Sequence, residues 1–256
     1  MIYRSLKRDN SITSFLKTRL ISISQERTEA FGLRNPHIKI DNFSFGTREE
    51  ELKEEEINLI ATKALTELAK KVPGSIGNAH SIFVILKECI SEDVHYLILE
   101  DDTQIHPNIH EFIINKWEII KKLDVLLLGG NTNSPITFEM LNGMPLSGVF
   151  LEEKDKHPSY QRINKIFSKS LIQDIKTYKL KNIFGSHAWI VSPQGAKKLI
   201  QNCFPLDIQP INVPLFFNSL SGISFDRRWN SILGIIDARI CIPFLALTPN
   251  INKTSR

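Results

Sequence analysis

Hydrophobic and polar positions along the chain alternate between two periods. Ile57, Ile60, Ala64, Leu68 and Val72 recur at intervals of three and four, which predicts a helix behind the acidic run Glu49 to Glu56 and before the Pro73-Gly74 stop. Carboxylates at its front suit the helix dipole, so that run reads as a solvated first turn rather than a metal site. A second helical pattern runs from Ser75 to Ile90 through Ile82, Ile85, Leu86 and Cys89. Then the period changes. Tyr96 to Leu99 are four apolar residues in succession that run directly into Glu100, Asp101 and Asp102, the pattern of a short strand buried on both faces. Asn108 to Lys122 is again amphipathic, with Ile109, Phe112, Ile113, Trp117 and Ile120 on one face, and Asp124 to Leu128 predicts another buried strand ending at Gly129-Gly130. Helix, strand, helix, strand predicts an α/β fold.

The rest is less regular. Residues 131 to 161, rich in Asn, Pro, Gly and charge, read as long loops with one short strand at Gly148 to Leu151. Ile183 to Val191 is a further strand candidate, and Ser192-Pro193 is a helix start, with Ser as N-cap and Pro at the first helical position. Ile240 to Leu247 predicts an extended segment. Residues 1 to 45 show no sustained period, which sets a poorly legible N-terminal segment apart from a main body over 46–256, both within one domain.

Composition narrows the class. At 256 residues, 42% hydrophobic and 23% charged, the chain can bury a large single core. The 32 basic and 28 acidic residues leave a net charge of +4 with no dense basic cluster, which disfavours a nucleic-acid partner and leaves room for an anionic substrate or a peripheral membrane contact. Cys89, Cys203 and Cys241 have no metal-ligand spacing and sit among apolar residues as buried free thiols would, which suits a reducing compartment. No secretory signal is evident at the first residues. The most apolar stretch, Ile232 to Leu247, carries Asp237 and Arg239 and falls short of the roughly 20 residues a spanning helix needs. The expected location is cytoplasmic, with attachment to the inner face of a membrane left open.

The chemistry concentrates at the end of the first buried strand. Three consecutive carboxylates repel one another unless a cation compensates, so a hard-metal site with oxygen ligands is the natural reading, with a solvated turn as its alternative. On an extended strand end Glu100 and Asp102 share a side, which makes both candidate ligands, Asp102 first, and turns Asp101 elsewhere. By analogy with other nucleotide-binding folds, Asp101 is assigned to a ribose, or else to a satisfied turn.

Four segments resemble glycosyltransferase family 25: Gly74-Ser75-Ile76-Gly77-Asn78-Ala79-His80-Ser81, Leu97-Ile98-Leu99-Glu100-Asp101-Asp102, Leu123 to Gly129, and Gly185-Ser186-His187-Ala188-Trp189 continuing to Gly195-Ala196-Lys197-Lys198-Leu199. Pro205-Leu206-Asp207 is similar to the family's Pro-x-Asp, Ile242 to Ser255 is similar to its closing segment, and the resemblance covers roughly the last 180 residues. Within the first segment Asn78 stands where the family has Cys, Ile82 where it has His, and His80 two places early. The family's opening strand and its arginine near the nucleotide are not recognisable in residues 1 to 45. The resemblance implies a GT-A-like nucleotide-diphospho-sugar transferase fold, a single Rossmann-like α/β/α domain with a mixed sheet. It also implies a UDP-sugar donor, usually UDP-galactose or UDP-glucose, a saccharide or glycolipid acceptor, and inversion at the sugar carbon in lipopolysaccharide or other cell-surface glycan synthesis. Mn²⁺ or Mg²⁺ on Glu100, Asp102 and His187 is the expected cofactor.

An inverting transfer needs a general base beside the acceptor hydroxyl. Asp207 is the first candidate, or else an ordinary helix N-cap, with Asp226 and Glu152 behind it. His187, between small residues, is assigned to the metal or a phosphate oxygen. Ser186 and the loop at Gly130 and Asn131 are assigned to donor or acceptor, the loop on the assumption that the two buried strands are parallel neighbours. Trp189 and Trp229 could stack on a sugar, although core packing is the usual fate of large aromatics. Two alternatives accompany this reading: a catalytically degenerate domain that binds a glycan or partner, and a metal-dependent hydrolase.

Overall fold

The computed structural model describes residues 15–47, 51–69, 75–152, 157–213 and 220–250. Glu49 and Glu50 of the acidic run, Val72 to Gly74 and the end of the closing segment lie outside them. A nine-stranded mixed sheet forms the centre. Its strands are β1 (Leu16–Ser22), β2 (Asn42–Phe45), β3 (His95–Glu100), β5 (Val125–Leu127), β6 (Pro135–Leu141), β7 (Met144–Val149), β8 (Lys176–Asn182), β9 (Ala188–Val191) and β12 (Ala238–Ile242), in the order β2-β1-β3-β9-β5-β12-β8-β6-β7. β4 (Gln104–Ile105) pairs with β13 (Ala246–Leu247), and β10 (Pro210–Ile211) with β11 (Leu220–Ser221).

The period of two decides the layers. Tyr96 and Ile98, Val125 and Leu127, and Trp189 and Val191 enter one apolar cluster, while Leu97 and Leu99, Leu126 and Leu128, and Ala188 and Ile190 enter the other. Helices α4 (Ser75–Glu92) and α7 (Pro193–Cys203) cover the first face; α1 (Gln25–Arg34) and α5 (Ile109–Ile120) cover the second. The result is an α/β/α sandwich. Each fully buried Leu or Ile in these layers stabilises by about 1.5–3 kcal/mol relative to exposure.

α4, β3, α5, β5 and α7 occupy their predicted places. α4 buries Ile76, Ala79, Ile82, Leu86 and Cys89 at helical spacing, and the chain turns into β3 at Asp93, whose φ is 53°. At α7 the Ser192 hydroxyl accepts from the Gly195 N–H at 3.0 Å. All three cysteines are buried and free, and burial pushes the Cys89 and Cys203 thiols up to about 12.

Elsewhere the structure departs from expectation. The single helix predicted after the acidic run is two, α2 (Glu54–Ile60) and α3 (Lys63–Ala69). Ala61 between them is extended, and its neighbours bond to Leu206: the Leu206 N–H donates to the Ile60 carbonyl at 2.7 Å, and the Thr62 N–H to the Leu206 carbonyl at 2.9 Å. Backbone bonding to a distant segment outweighs local period there. The predicted loops at 131–161 contain the β6–β7 hairpin, turning at Asn142-Gly143, where Gly143 takes φ 74°. They lead into α6 (Tyr160–Phe167). Among the described residues, no helix is long and apolar enough to cross a membrane.

Candidate active site

Strand direction assembles the site. β3 and β5 are not neighbours; β9 lies between them, antiparallel to both. The C-terminal ends of β3 and β5 and the entry to β9 therefore meet at one sheet edge, which brings together Glu100, Gly129 to Asn131, and Gly185 to His187. The Glu100 N–H donates to the His187 carbonyl at 2.8 Å, and the Leu128 N–H to the Ala188 carbonyl at 3.0 Å. The chain after β12 returns across this edge: the Leu245 N–H donates to the Leu128 carbonyl at 2.7 Å, and Thr248 then reaches Asp102. A side chain at Gly129 would lie 1.9 Å from the Ala246 carbonyl oxygen, so only glycine lets the returning segment pass.

A cavity of about 220 Å³ opens here, with Glu100, Asp102 and Asp226 on its wall together with Asn131, Ser186 and His187. Its volume is below the roughly 300–1,000 Å³ usual for small-molecule sites, enough for one end of a large ligand. A larger depression of about 500 Å³ between α5 and Ser170 to Gln173 contains no comparable group of acids.

Each acid has a different environment. Glu100 accepts from the Ser186 hydroxyl at 3.2 Å, and burial, followed by the nearby Asp102 charge, pushes its carboxyl up to about 8. Asp102 accepts from the Thr248 hydroxyl at 2.9 Å through Oδ2, while its Oδ1 is buried without a hydrogen-bond partner. Tyr160 donates to the Asp102 carbonyl at 3.0 Å, and the Arg34 guanidinium lies 4.4 Å over the Tyr160 ring. Asp226 accepts from the Ser224 hydroxyl, and from the Gly185 N–H at 3.3 Å. His187 is 2% exposed, and neither ring nitrogen makes a hydrogen bond. Burial lowers its pKa, partly opposed by the Asp102 charge, so the imidazole is neutral at pH 7.

Asp101 points the other way. Its carboxylate accepts from Ser22 Oγ at 2.6 Å and from Arg27, and it does not line the cavity: the residue assigned to a ribose is turned toward the first strand and helix. Asp207, the first candidate for the base, also lies apart from the cavity. It accepts from Thr62 Oγ1 at 3.1 Å and from the Ile208 N–H at 2.6 Å, in a turn outside the cavity wall. Gly130 also stands back from the wall, its missing side chain giving room to Ile183. Glu152 pairs with Arg162 at 3.1 Å. Trp189 and Trp229 are fully buried, with ring centroids 5.7 Å apart, and belong to the core.

No three His, Cys, Asp or Glu side chains among the described residues gather closely enough to hold an ion unaided; Glu100, Asp102 and His187, the expected ligands, line the cavity without meeting as such a group. Glu100 is turned to Ser186 and one Asp102 oxygen to Thr248. A divalent ion that takes one or two carboxylates and completes its shell with water and phosphate oxygens does fit. The unpartnered Asp102 oxygen, beside the elevated Glu100 carboxyl on the cavity wall, is the acceptor such an ion would take.

Sequence reasoning missed Ser75 and Asn78 in the first turn of α4, and Ser224, Thr248 and Asn250, all on the cavity wall. All but Ser224 fall within segments already singled out by resemblance. The signal lacking was which face of each segment turns toward the strand ends.

Gly185 is the site's backbone pivot. Its φ is 92°, and a Cβ would lie 2.4 Å from Asn131 Oδ1. Gly185→Ala is expected to leave a folded protein, destabilised by about 1–3 kcal/mol in thermal unfolding. It should lose most ligand binding at this cavity, because both Asn131 and the amide that holds Asp226 must shift.

The fold and site define an α/β/α protein with a mixed sheet and acidic groups converging at its strand ends. Residues 14–213 match the family described as "Glycosyltransferase family 25 (LPS biosynthesis protein)", and the chain belongs to that family. The match takes in β1, α1 and β2, which sequence reading left illegible, and stops before the closing segment at Ile242 to Ser255. The GT-A fold follows from this membership. No curated protein matches the chain. Among solved structures it is similar to a mannose-1-phosphate geranyltransferase from Thermus thermophilus, with 12% identity over 88% of this chain and 73% of that one and a TM-score of 0.38.

Proposed function

We propose that this glycosyltransferase moves a hexose, galactose first among candidates, from a UDP-sugar to a saccharide or glycolipid acceptor with inversion, assisted by Mn²⁺ or Mg²⁺. The observation that carries the reading is the placement of Glu100, Asp102 and Asp226 around one cavity beside a neutral, unpartnered His187. Asp102 and Glu100 would hold the ion, with His187 beside it. When bound, the ion supplies charge stabilisation on the departing diphosphate. Ser186 and Asn131 are placed to hydrogen-bond donor oxygens, and the neutral imidazole of His187 can donate to a phosphate oxygen.

Asp226 is the proposed base. Bonds from the Gly185 amide and the Ser224 hydroxyl fix its carboxylate against the cavity. As the acceptor oxygen bonds to the sugar carbon, the bond to the diphosphate breaks with its electron pair, and the hydroxyl proton passes to Asp226. A panel of UDP-sugars with Mn²⁺, scored by UDP release with and without mixed oligosaccharide acceptors, tests the reading. Acceptor-dependent release from one donor is expected. Release faster without acceptor would favour a hydrolase, and absence of UDP binding a degenerate binding domain. Asp226→Asn should lower turnover by about 10²–10⁴-fold with little change in UDP affinity, the split expected of a base.

A further inference from the structure

The β6–β7 hairpin carries apolar side chains that no part of the described protein covers. Met140, Leu141, Met144, Leu146, Val149 and Leu151 are 47–69% exposed, within twelve consecutive residues. β7 is the outermost strand of the sheet and is exposed along its whole length. Monomeric soluble proteins rarely leave such a patch in water. Phe138 and Leu146 are register partners, so the apolar face of the core continues outward from buried Phe138 to half-exposed Leu146 and beyond to Met144.

We propose that this hairpin docks the protein on an anionic lipid surface, presenting the cavity to a lipid-linked acceptor. Three observations choose that occupant. First, the edge is poorly suited to another β-strand: Pro145 offers no N–H, which blunts an edge against strand addition. Second, charge of the right sign flanks it. On the strands beside it, Lys176, Lys179 and Lys181 of β8 outnumber Glu139 of β6, which pairs with Lys181 at 3.2 Å, while Arg162 pairs with Glu152 at the hairpin's end. Third, the hairpin is continuous with the cavity. It begins four residues after Asn131 on the cavity wall, its base is closed by the Asn133 N–H donating to the Phe150 carbonyl at 2.8 Å, and Phe150 rests on Phe244 with centroids 4.6 Å apart. Exposed apolar side chains beside cations constitute the surface that binds an anionic membrane interface.

The acceptor half of this inference rests on the reading of the cavity as a glycosyl-transfer site; lipid docking does not. The test is flotation of the full chain with phosphatidylglycerol–phosphatidylcholine vesicles at low salt, for the wild type and for Leu141→Ser/Met144→Ser/Leu146→Ser. These positions are exposed, so unchanged circular dichroism is expected. The wild type should float, and the triple variant should lose roughly tenfold or more in vesicle affinity. Failure of the wild type to float, or equal flotation of the variant, overturns the proposal. So does a dimer in sedimentation that the variant abolishes, which would make a second copy the occupant. UDP binding with Mn²⁺, measured in solution on both proteins, keeps the two readings apart. If vesicles bind while UDP does not, docking stands and the cavity reading fails.

Discussion

Asp102→Asn should reduce transfer by about 10²–10³-fold while leaving the fold intact, the magnitude associated with losing one preorganised electrostatic stabiliser. Asn has the shape of Asp, and its carbonyl oxygen can still accept from the Thr248 hydroxyl that now reaches Oδ2 at 2.9 Å. What disappears is the negative charge at the cavity wall and the acceptor capacity of Oδ1, which is buried without a partner. Mn²⁺-dependent UDP affinity should fall with turnover, and the melting temperature of the metal-free protein should hold or rise, because a repulsive neighbour of Glu100 has gone. Asp101→Asn should behave in the opposite way. It breaks the contact with Arg27 and weakens that with Ser22, removing one partner of a largely buried ion pair, and should show chiefly as a lower melting temperature. Wild-type turnover in Asp102→Asn, measured by UDP release, would remove the basis for the proposed activity.

That contrast between adjacent carboxylates was only half legible in the chain. Strand β3 announces itself because Tyr96 to Leu99 are all apolar and the strand is buried on both faces. β1, its parallel neighbour, is just as buried but hides, since Lys17 and Arg19 interrupt its apolar run. Arg19 is 4% exposed and tolerated there because Glu88 accepts from it at 3.1 Å and the Tyr96 hydroxyl at 2.8 Å, partners that lie 69 and 77 residues away. No local pattern could reveal them. The same strand leads to Arg27 and Arg34, which hold Asp101 by its carboxylate and its carbonyl, so the reason Asp101 is withdrawn from the cavity lay in the segment that resisted reading. The placement of Asp207 was hidden for a different reason. Its Pro-x-Asp context is local, whereas its role in the turn that receives Thr62 depends on a backbone bridge between Ala61 and Leu206. The convergence at the sheet edge needed one further fact, that β9 runs antiparallel between β3 and β5, which spacing along a chain cannot disclose.

The pH dependence of stability should single out Glu100. In the unfolded chain its carboxyl ionises near 4.5, while in the folded protein burial and the Asp102 charge hold the proton until about 8. Between these values the folded state binds more protons than the unfolded, so this group's contribution is fully favourable below about 4.5 and is lost as pH rises through about 8. His187 acts in the other direction. Burial keeps its folded pKa below 6.5, so the unfolded chain takes up a proton that the folded protein refuses, and stability is lost as pH falls below 6.5. The two slopes overlap in the measured curve, and Glu100→Gln separates them. Gln cannot ionise and can still accept from Ser186, so the variant should outlast the wild type in urea at pH 8 by more than at pH 5, with a difference that grows across the window. A divalent cation reverses the sign for the wild type alone. The ion competes with the proton on Glu100, so Mn²⁺ should bind more tightly as pH rises from 6 to 8, release a proton measurable by calorimetry in two buffers of different ionisation enthalpy, and restore stability at the alkaline end. If the urea midpoints of wild type and Glu100→Gln keep a constant separation from pH 5 to pH 8, Glu100 is not protonated at neutrality, and the carboxylates at the strand end lack the mutual repulsion that makes a cation site of them.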